Sequence, residues 1–150
     1  MLRNVIILFI WLITGMAVLV AQDSIRIKKS SGDLTLLIEG FDNEQGKVKI
    51  ALCDSEEDYD TDSSAFQVAS LEIKDTKVKY IFKNIPFGDY AIKVYHDEDN
   101  DGKLDKNLWG APSEDYGFSN NARGKFGPPK WEDARFIFDT NNDTMQIEIK

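Results

Sequence analysis

Cysteine and histidine are nearly absent from this 150-residue sequence, which contains one of each, Cys53 and His96. A single cysteine excludes a disulfide within the chain. A single histidine leaves little from which to build a hydrolytic triad or a histidine-rich zinc site. The sequence also lacks G-x-S-x-G, H-E-x-x-H and phosphate-binding glycine motifs. The common catalytic motifs therefore give no support to an enzymatic function.

Positive charge is scarce as well, because 18 lysines and arginines face 26 acidic residues and leave a net charge of −8. A surface this acidic repels nucleic-acid phosphates and anionic lipid headgroups. Nucleic acids and membrane surfaces are therefore not expected partners. The acidic balance favours cation binding, or serves only solubility.

Long apolar runs are confined to the first 20 residues, where Arg3 precedes an uncharged run from Val5 to Val20 and Ala21 closes it. This is the layout of a secretory signal peptide, so we predict a signal segment at 1–21 and a mature chain at 22–150. The protein is then secreted or periplasmic, with no membrane insertion after cleavage. The alternative is an uncleaved anchor, for which the run is slightly short.

Helical periodicity is lacking after Gln22, and short stretches alternate apolar with polar residues instead. Strands with one apolar and one polar face are typical of antiparallel sheets with one solvated side. The pattern predicts an all-β fold, an Ig-like antiparallel β-sandwich of about seven or eight strands forming one domain. The predicted strands are 34–41, 46–53, 68–74, 77–83, 88–96, 134–139 and 144–150, with a possible edge strand at 23–29.

The alternation stops between residues 97 and 133, in a segment rich in glycine, proline and aromatic residues. Irregular loops of this length are uncommon in compact domains unless they bind something or are disordered. Ordering the segment costs about 1–2 kcal/mol of backbone entropy per residue, so an anchor is expected. An ion at its first residues would provide one.

The acidic stretch HDEDNDGKLDKN, residues 96–107, has the spacing of a calcium loop. Such loops converge carboxylates from alternate positions, add a backbone carbonyl and turn at a glycine. The candidate calcium ligands are Asp97, Asp99, Asp101, Lys103 through its carbonyl, and Asp105. Further candidates downstream are Asn107, Glu114 and Asp115. An EF-hand is not predicted, because Leu108 occupies the position of its bidentate glutamate. The alternative is a solvated acidic turn without metal.

A second candidate region is a binding surface for a protein or glycan, formed by the irregular segment and its neighbours. Its predicted members are His96, Trp109, Glu114, Tyr116, Phe118, Asn120 and Asn121. The alternative is that the aromatic residues only cover the sandwich. His96 shares the phase of the core-facing residues and is expected to be structural. Cys53 falls on the face opposite Val48, which argues against a Cys–His dyad.

The segment 82–136 resembles DUF2141, a family of exported bacterial proteins of unknown function, most specifically in its YGFSNN and FGPP blocks. The resemblance extends more loosely to LTLLIEGF and GKVKIALCDS, and so covers nearly all of the mature chain. Trp131 stands where the family usually has phenylalanine, and Asp99 and Asp101 stand where asparagine is frequent. The resemblance implies a prealbumin-like or carboxypeptidase-regulatory-like sandwich and implies no known reaction.

These observations lead to a first functional hypothesis, a calcium-stabilised module of the cell envelope that binds a protein or glycan, or is purely structural. No catalysis is expected. The alternative is a hydrolase-like envelope enzyme that uses the His96 rim and the loop carboxylates. A pocket joining His96, Glu114 and Tyr116 would favour that alternative.

Overall fold

A computed structural model describes residues 30–61 and 64–150. The predicted signal segment and the possible edge strand at 23–29 lie outside the described residues. Eight strands are present: β1 (Ser31–Glu39), β2 (Lys47–Cys53), β3 (Gln67–Leu71), β4 (Lys77–Pro86), β5 (Gly88–Asp97), β6 (Tyr116–Phe118), β7 (Phe136–Phe138) and β8 (Asn142–Glu148). Two short helices, α1 (Glu56–Asp60) and α2 (Trp131–Ala134), and a 3-10 turn at Ser119–Asn121 complete the fold.

The strands form two sheets, ordered β4–β1–β8 and β3–β2–β5–β6, and β7 pairs with the first residues of β5. The prediction of an all-β sandwich is confirmed. Among the described residues, the pairing of β1 with β8 departs from the antiparallel expectation, since these two strands run parallel. Parallel neighbours cannot be joined by a hairpin, so β8 returns from the far end of the chain to lie beside β1.

The core lies between the sheets and is built from alternate residues of each strand. Leu34, Leu36 and Ile38 of β1 are at most 1% exposed and face the core with Val48 and Ile50 of β2. Because successive side chains of a strand point to opposite faces, this set follows directly from the period-two pattern. The predicted core phase is therefore confirmed.

The outer face of β2 and β5 is not solvated throughout, contrary to the expectation of one polar face per strand. Cys53 and Ala91 are fully buried there and pack with Tyr59 of α1, Phe118 of β6 and Ala134 of α2. A second acidic run, residues 53–62, contains α1, whose first turn is capped by Ser55. Small residues on β2 and β5 let these short helices approach the sheet closely, so a second apolar layer forms.

The segment 97–133 is not irregular throughout. After the turns of 98–115 it contains β6, the 3-10 turn and α2. Gly117 of β6 is required by space, because an added Cβ would lie 2.7 Å from Cγ2 of Ile147 on β8. None of the helices in the described part of the chain is long and apolar enough to cross a membrane.

Candidate metal site

The acidic loop begins at Asp97, the last residue of β5, whose side chain is fully buried. Its Oδ2 lies 3.2 Å from Nζ of Lys49 on β2, and both of its carboxylate oxygens accept from the Gly102 amide at 3.2 and 3.3 Å. Burying a carboxylate is costly unless it is paired and hydrogen-bonded. Lys49 and the Gly102 amide meet that requirement and fold the loop back over the end of β5.

Asp97, Asp99 and Glu114 bring their carboxylates together, with one oxygen of each within 4.8 Å of the others. No other group of three or more such side chains lies so close within residues 30–61 and 64–150. Glu114 is positioned by two backbone amides, since Oε1 accepts from Glu98 at 2.9 Å and Oε2 from Asp105 at 3.0 Å. The two ends of the 98–113 turns are thus held against each other.

The remaining predicted ligands lie outside this group of three. Asp101 uses Oδ1 to accept from the Lys103 amide at 2.7 Å, and Asp99 accepts from the Asp101 amide at 3.0 Å. These are local Asx turns, in which an aspartate side chain caps the backbone two residues ahead. Asp101, Lys103 and Asp105 are exposed. Their expected role as ligands stays a prediction.

Asn107, a downstream candidate, organises the next turn rather than joining the carboxylates. Its side-chain Oδ1 accepts from the backbone amides of Trp109 and Ala111, and its backbone amide donates to the Ala111 carbonyl. Trp109 is 94% exposed at the tip of this turn and Leu108 is fully exposed beside it. The acidic loop therefore presents two apolar side chains to solvent.

His96 is fully buried between the β1–β2 turn and the acidic loop. Its Nε2 lies 2.6 Å from the Gln45 carbonyl, its Nδ1 lies 3.6 Å from Oε1 of Glu98, and its ring packs edge-on against Phe41. Because the Gln45 carbonyl can only accept, Nε2 carries a proton. The prediction that His96 belongs to a binding surface is therefore wrong, since its ring is fully buried and is contacted by Phe41, Gln45 and Glu98.

Negative charge accumulates at this end of the molecule. Burial raises the pKa of Asp115, and the nearby carboxylates of Asp42 and Glu98 raise it further, while His96 acts in the opposite direction. Carboxylates that repel one another favour a bound proton or a bound cation.

Phe118 and Tyr116, also predicted at the surface, belong largely to the packed interior. Phe118 is 7% exposed in the second apolar layer, so its assignment to an exposed surface is corrected by its burial there. Tyr116 is half-buried, with the Arg123 guanidinium 5.9 Å from its ring centroid.

Asn120 and Asn121 use their side-chain amides within the fold. Asn120 donates from Nδ2 to the carbonyls of Asp133, Ala134 and Arg135, which closes the end of α2. Asn121 accepts the amide of Glu148 on β8 at 2.9 Å. Both residues have positive φ, a conformation that asparagine tolerates better than most residues.

Ser119 is a buried contributor that sequence reasoning missed. Its Oγ accepts from the Ile92 amide at 2.9 Å and donates to the Ala134 carbonyl at 2.6 Å. A serine inside YGFSNN gives no local signal of burial; only the pairing of β6 with β5 places it between two backbones.

The profile of the family DUF2141, described as an uncharacterized protein conserved in bacteria, matches residues 36–146. The chain belongs to this family. The match includes every strand except the ends of β1 and β8, together with the acidic loop and the YGFSNN and FGPP blocks. No curated protein matches the chain of this DUF2141 member.

A solved structure similar to the DUF2141 chain is the pilus-presented adhesin Cpa, in a cysteine-to-alanine variant. The sequence identity is 16% and the TM-score is 0.25. The similarity covers 79% of this chain and 27% of the adhesin chain, so the DUF2141 chain spans about a quarter of the adhesin's length.

Proposed function

We propose that this protein is an exported, calcium-stabilised β-sandwich that serves as a binding or structural module of the cell envelope and not as a catalyst. The convergence of Asp97, Asp99 and Glu114 supports the calcium part of the proposal. The apolar run at Val5–Val20 supports export.

Calcium fits the three carboxylates by charge and by size. Lys49 supplies one positive charge beside three carboxylates whose oxygens lie within 4.8 Å, so a further cation would lower their mutual repulsion. Calcium binds oxygen at about 2.3–2.6 Å, so two oxygens on opposite sides of the ion lie about 5 Å apart. Magnesium requires shorter distances and a stricter octahedron, and it usually retains several waters.

Bound calcium would tie the end of β5 to the residues that lead into β6. Asp97 is the last residue of β5 and Asp99 lies in the turn that follows it, while Glu114 lies two residues before Tyr116, the first residue of β6. The ion would thus close the turns of 98–113 into a fixed unit that carries Trp109. A free calcium concentration about 100 times the dissociation constant would raise the free energy of unfolding by about 2.7 kcal/mol.

The first test is a calcium titration by calorimetry, combined with thermal melting in calcium and in EDTA. We expect a higher melting temperature in calcium and a lower calcium affinity, by about tenfold or more, in Asp99→Asn, because ligand charge sets calcium affinity. Asp99 is exposed, so its replacement should leave the apo fold intact.

The matched control is Asp139→Asn, which makes the same change at an exposed aspartate after β7. Phe138 pairs with Gly88, so Asp139 lies near the opposite end of β5 from Asp97. Equal melting of the wild type in calcium and EDTA would refute the proposal. An equal loss of calcium affinity in both variants would refute the specific site, because it would show only a general attraction between calcium and an acidic surface.

A further inference from the structure

The segment 122–131, ARGKFGPPKW, carries three cations and no acid in a chain whose net charge is −8. It folds around a cleft of about 350 Å³ on the surface. The lining includes Arg123, Lys125 and Lys130, with Asp133 as the one acidic member. An isolated basic cleft in an acidic protein is a local attraction for negative charge.

The walls of this cleft are fixed before any ligand arrives. Arg123 donates from Nη1 to the Tyr116 carbonyl at 3.1 Å and from Nη2 to the Glu148 carbonyl at 3.0 Å. Gly124 lies so close to the following turn that an added Cβ would be 2.1 Å from the Gly127 carbonyl oxygen. Binding to preformed walls avoids the entropic cost of ordering a loop.

The far side of the loop is anchored in the second apolar layer. Pro129 is buried, and its carbonyl accepts from the Tyr59 hydroxyl at 3.0 Å. Trp131 packs edge-on against the Tyr59 ring. Lys125 and Lys130 therefore belong to a turn that is anchored on both sides.

Phe126 lies in the middle of this turn and is fully exposed. Its ring offers an exposed apolar face on which a ligand could pack. An aromatic face beside cations suits a ring that has an apolar face and a negative group.

From these observations we infer that the cleft and Phe126 bind an acidic sugar unit of an anionic polysaccharide. Lys125 and Lys130 pair with the sugar carboxylate, Asp133 accepts from ring hydroxyls, and Phe126 packs on the C–H face of the ring. Two lysines and one carboxylate in the same lining suit a ligand that carries both a carboxylate and hydroxyl donors, as an acidic sugar does. The volume of the cleft, about 350 Å³, accommodates a single sugar unit. This inference deepens the proposed binding function, but its site does not include the calcium ligands.

The test measures binding of hyaluronan oligosaccharides, in which glucuronate alternates with a neutral sugar, to the full chain by calorimetry. Neutral chitin oligosaccharides and poly-glutamate peptides are the comparison probes. We expect binding to hyaluronan and a loss of about tenfold or more in the variant Lys125→Gln with Lys130→Gln, the loss expected for charge-assisted bonds. Phe126→Ala should weaken binding without changing its salt dependence.

The matched control is Lys79→Gln with Lys83→Gln, the same change at two exposed lysines of β4. Equal binding of poly-glutamate, an equal loss in the control, or no hyaluronan binding would each overturn the inference. Each titration is repeated in EDTA. If hyaluronan binds but calcium does not stabilise the protein, only the calcium proposal is refuted. If calcium stabilises the protein but hyaluronan does not bind, only the sugar site is refuted.

Discussion

Single polar groups hold the second apolar layer of this sandwich to the sheet, and Ser119 is the clearest case. One hydroxyl bonds the backbones of β5 and α2, both of which are buried around it. We expect Ser119→Ala to lower the free energy of unfolding by about 1–3 kcal/mol, because it leaves buried backbone groups unsatisfied. Urea denaturation measures this, and the exposed Ser113→Ala should change stability by less than about 0.5 kcal/mol. Equal effects in the two variants would contradict the assigned role.

The pKa of Asp58 also depends on individual hydroxyls. Hydrogen bonds from Ser64 and from Ser55 lower it below its ordinary value of 3.8. The associated stability is therefore present above pH 3.8 and is lost as the pH falls through the lowered value. We expect Ser64→Ala to raise the pKa of Asp58, measured by carbon-13 NMR titration. The side chain of Ser64 donates at 2.8 Å, so an unchanged titration would show that this bond is not formed in solution.

At the scale of elements, the β1–β2 turn is fitted against the start of the acidic loop. Gly46 has φ +68, and an added Cβ would lie 2.0 Å from the Asp97 carbonyl oxygen. Gly102 has a similar φ of +80 but open space around it. The turn and the loop therefore constrain each other through the backbone.

The pair Gly46→Ala and Gly102→Ala separates backbone strain from steric contact. Both variants incur the cost of a positive φ, roughly 1–2 kcal/mol, but only Gly46→Ala must also displace Asp97. We expect Gly46→Ala to be the more destabilising variant in urea denaturation. Equal destabilisation would mean that the turn moves away freely from the end of β5.

Local patterns predicted the strands well and their neighbours less well. Val48, Ile50 and Leu52 alternate with lysines or alanine, so their burial follows from period two alone. The burial of Cys53 and Ala91 could not be predicted this way, because it depends on two short helices from distant parts of the chain. The partner of β8 could not be predicted either, since strand order is not encoded in alternation.

The acidic loop shows the same division between local and distant information. The alternate spacing of Asp97 and Asp99 predicted that their side chains point to the same side of the loop. The structure brings their carboxylate oxygens close to Glu114, one of three downstream candidates. Asp101 has the same spacing, yet its carboxylate turns to the Lys103 amide. Asp99 forms the same kind of Asx turn with the Asp101 amide, so the turns do not decide which aspartate joins the group. The path of the loop decides it, and the sequence spacing does not reveal that path.

At the scale of the whole molecule, the proposed location depends on removal of residues 1–21. We expect mass spectrometry of the protein recovered from the periplasm or medium of a bacterial host to give a chain that begins at Gln22. The control is the variant Leu12→Arg, in which a charge interrupts the apolar run. Its precursor should remain uncleaved inside the cell. A full-length chain recovered with the membrane fraction would instead support the anchor alternative.

The parallel pairing of β1 with β8 has a consequence for the order of folding. β1 is the central strand of its sheet, and Leu36 finds its partner only at Met145. A chain that emerges N-terminus first from a ribosome or a translocation pore therefore cannot complete the β4–β1–β8 sheet until β8 appears. Closing so long a loop is slow, because its entropy is lost before the contact forms. In the proposed export, late closure of this kind would keep the polypeptide unfolded enough to thread through a pore and would delay the finished sandwich until translocation is complete.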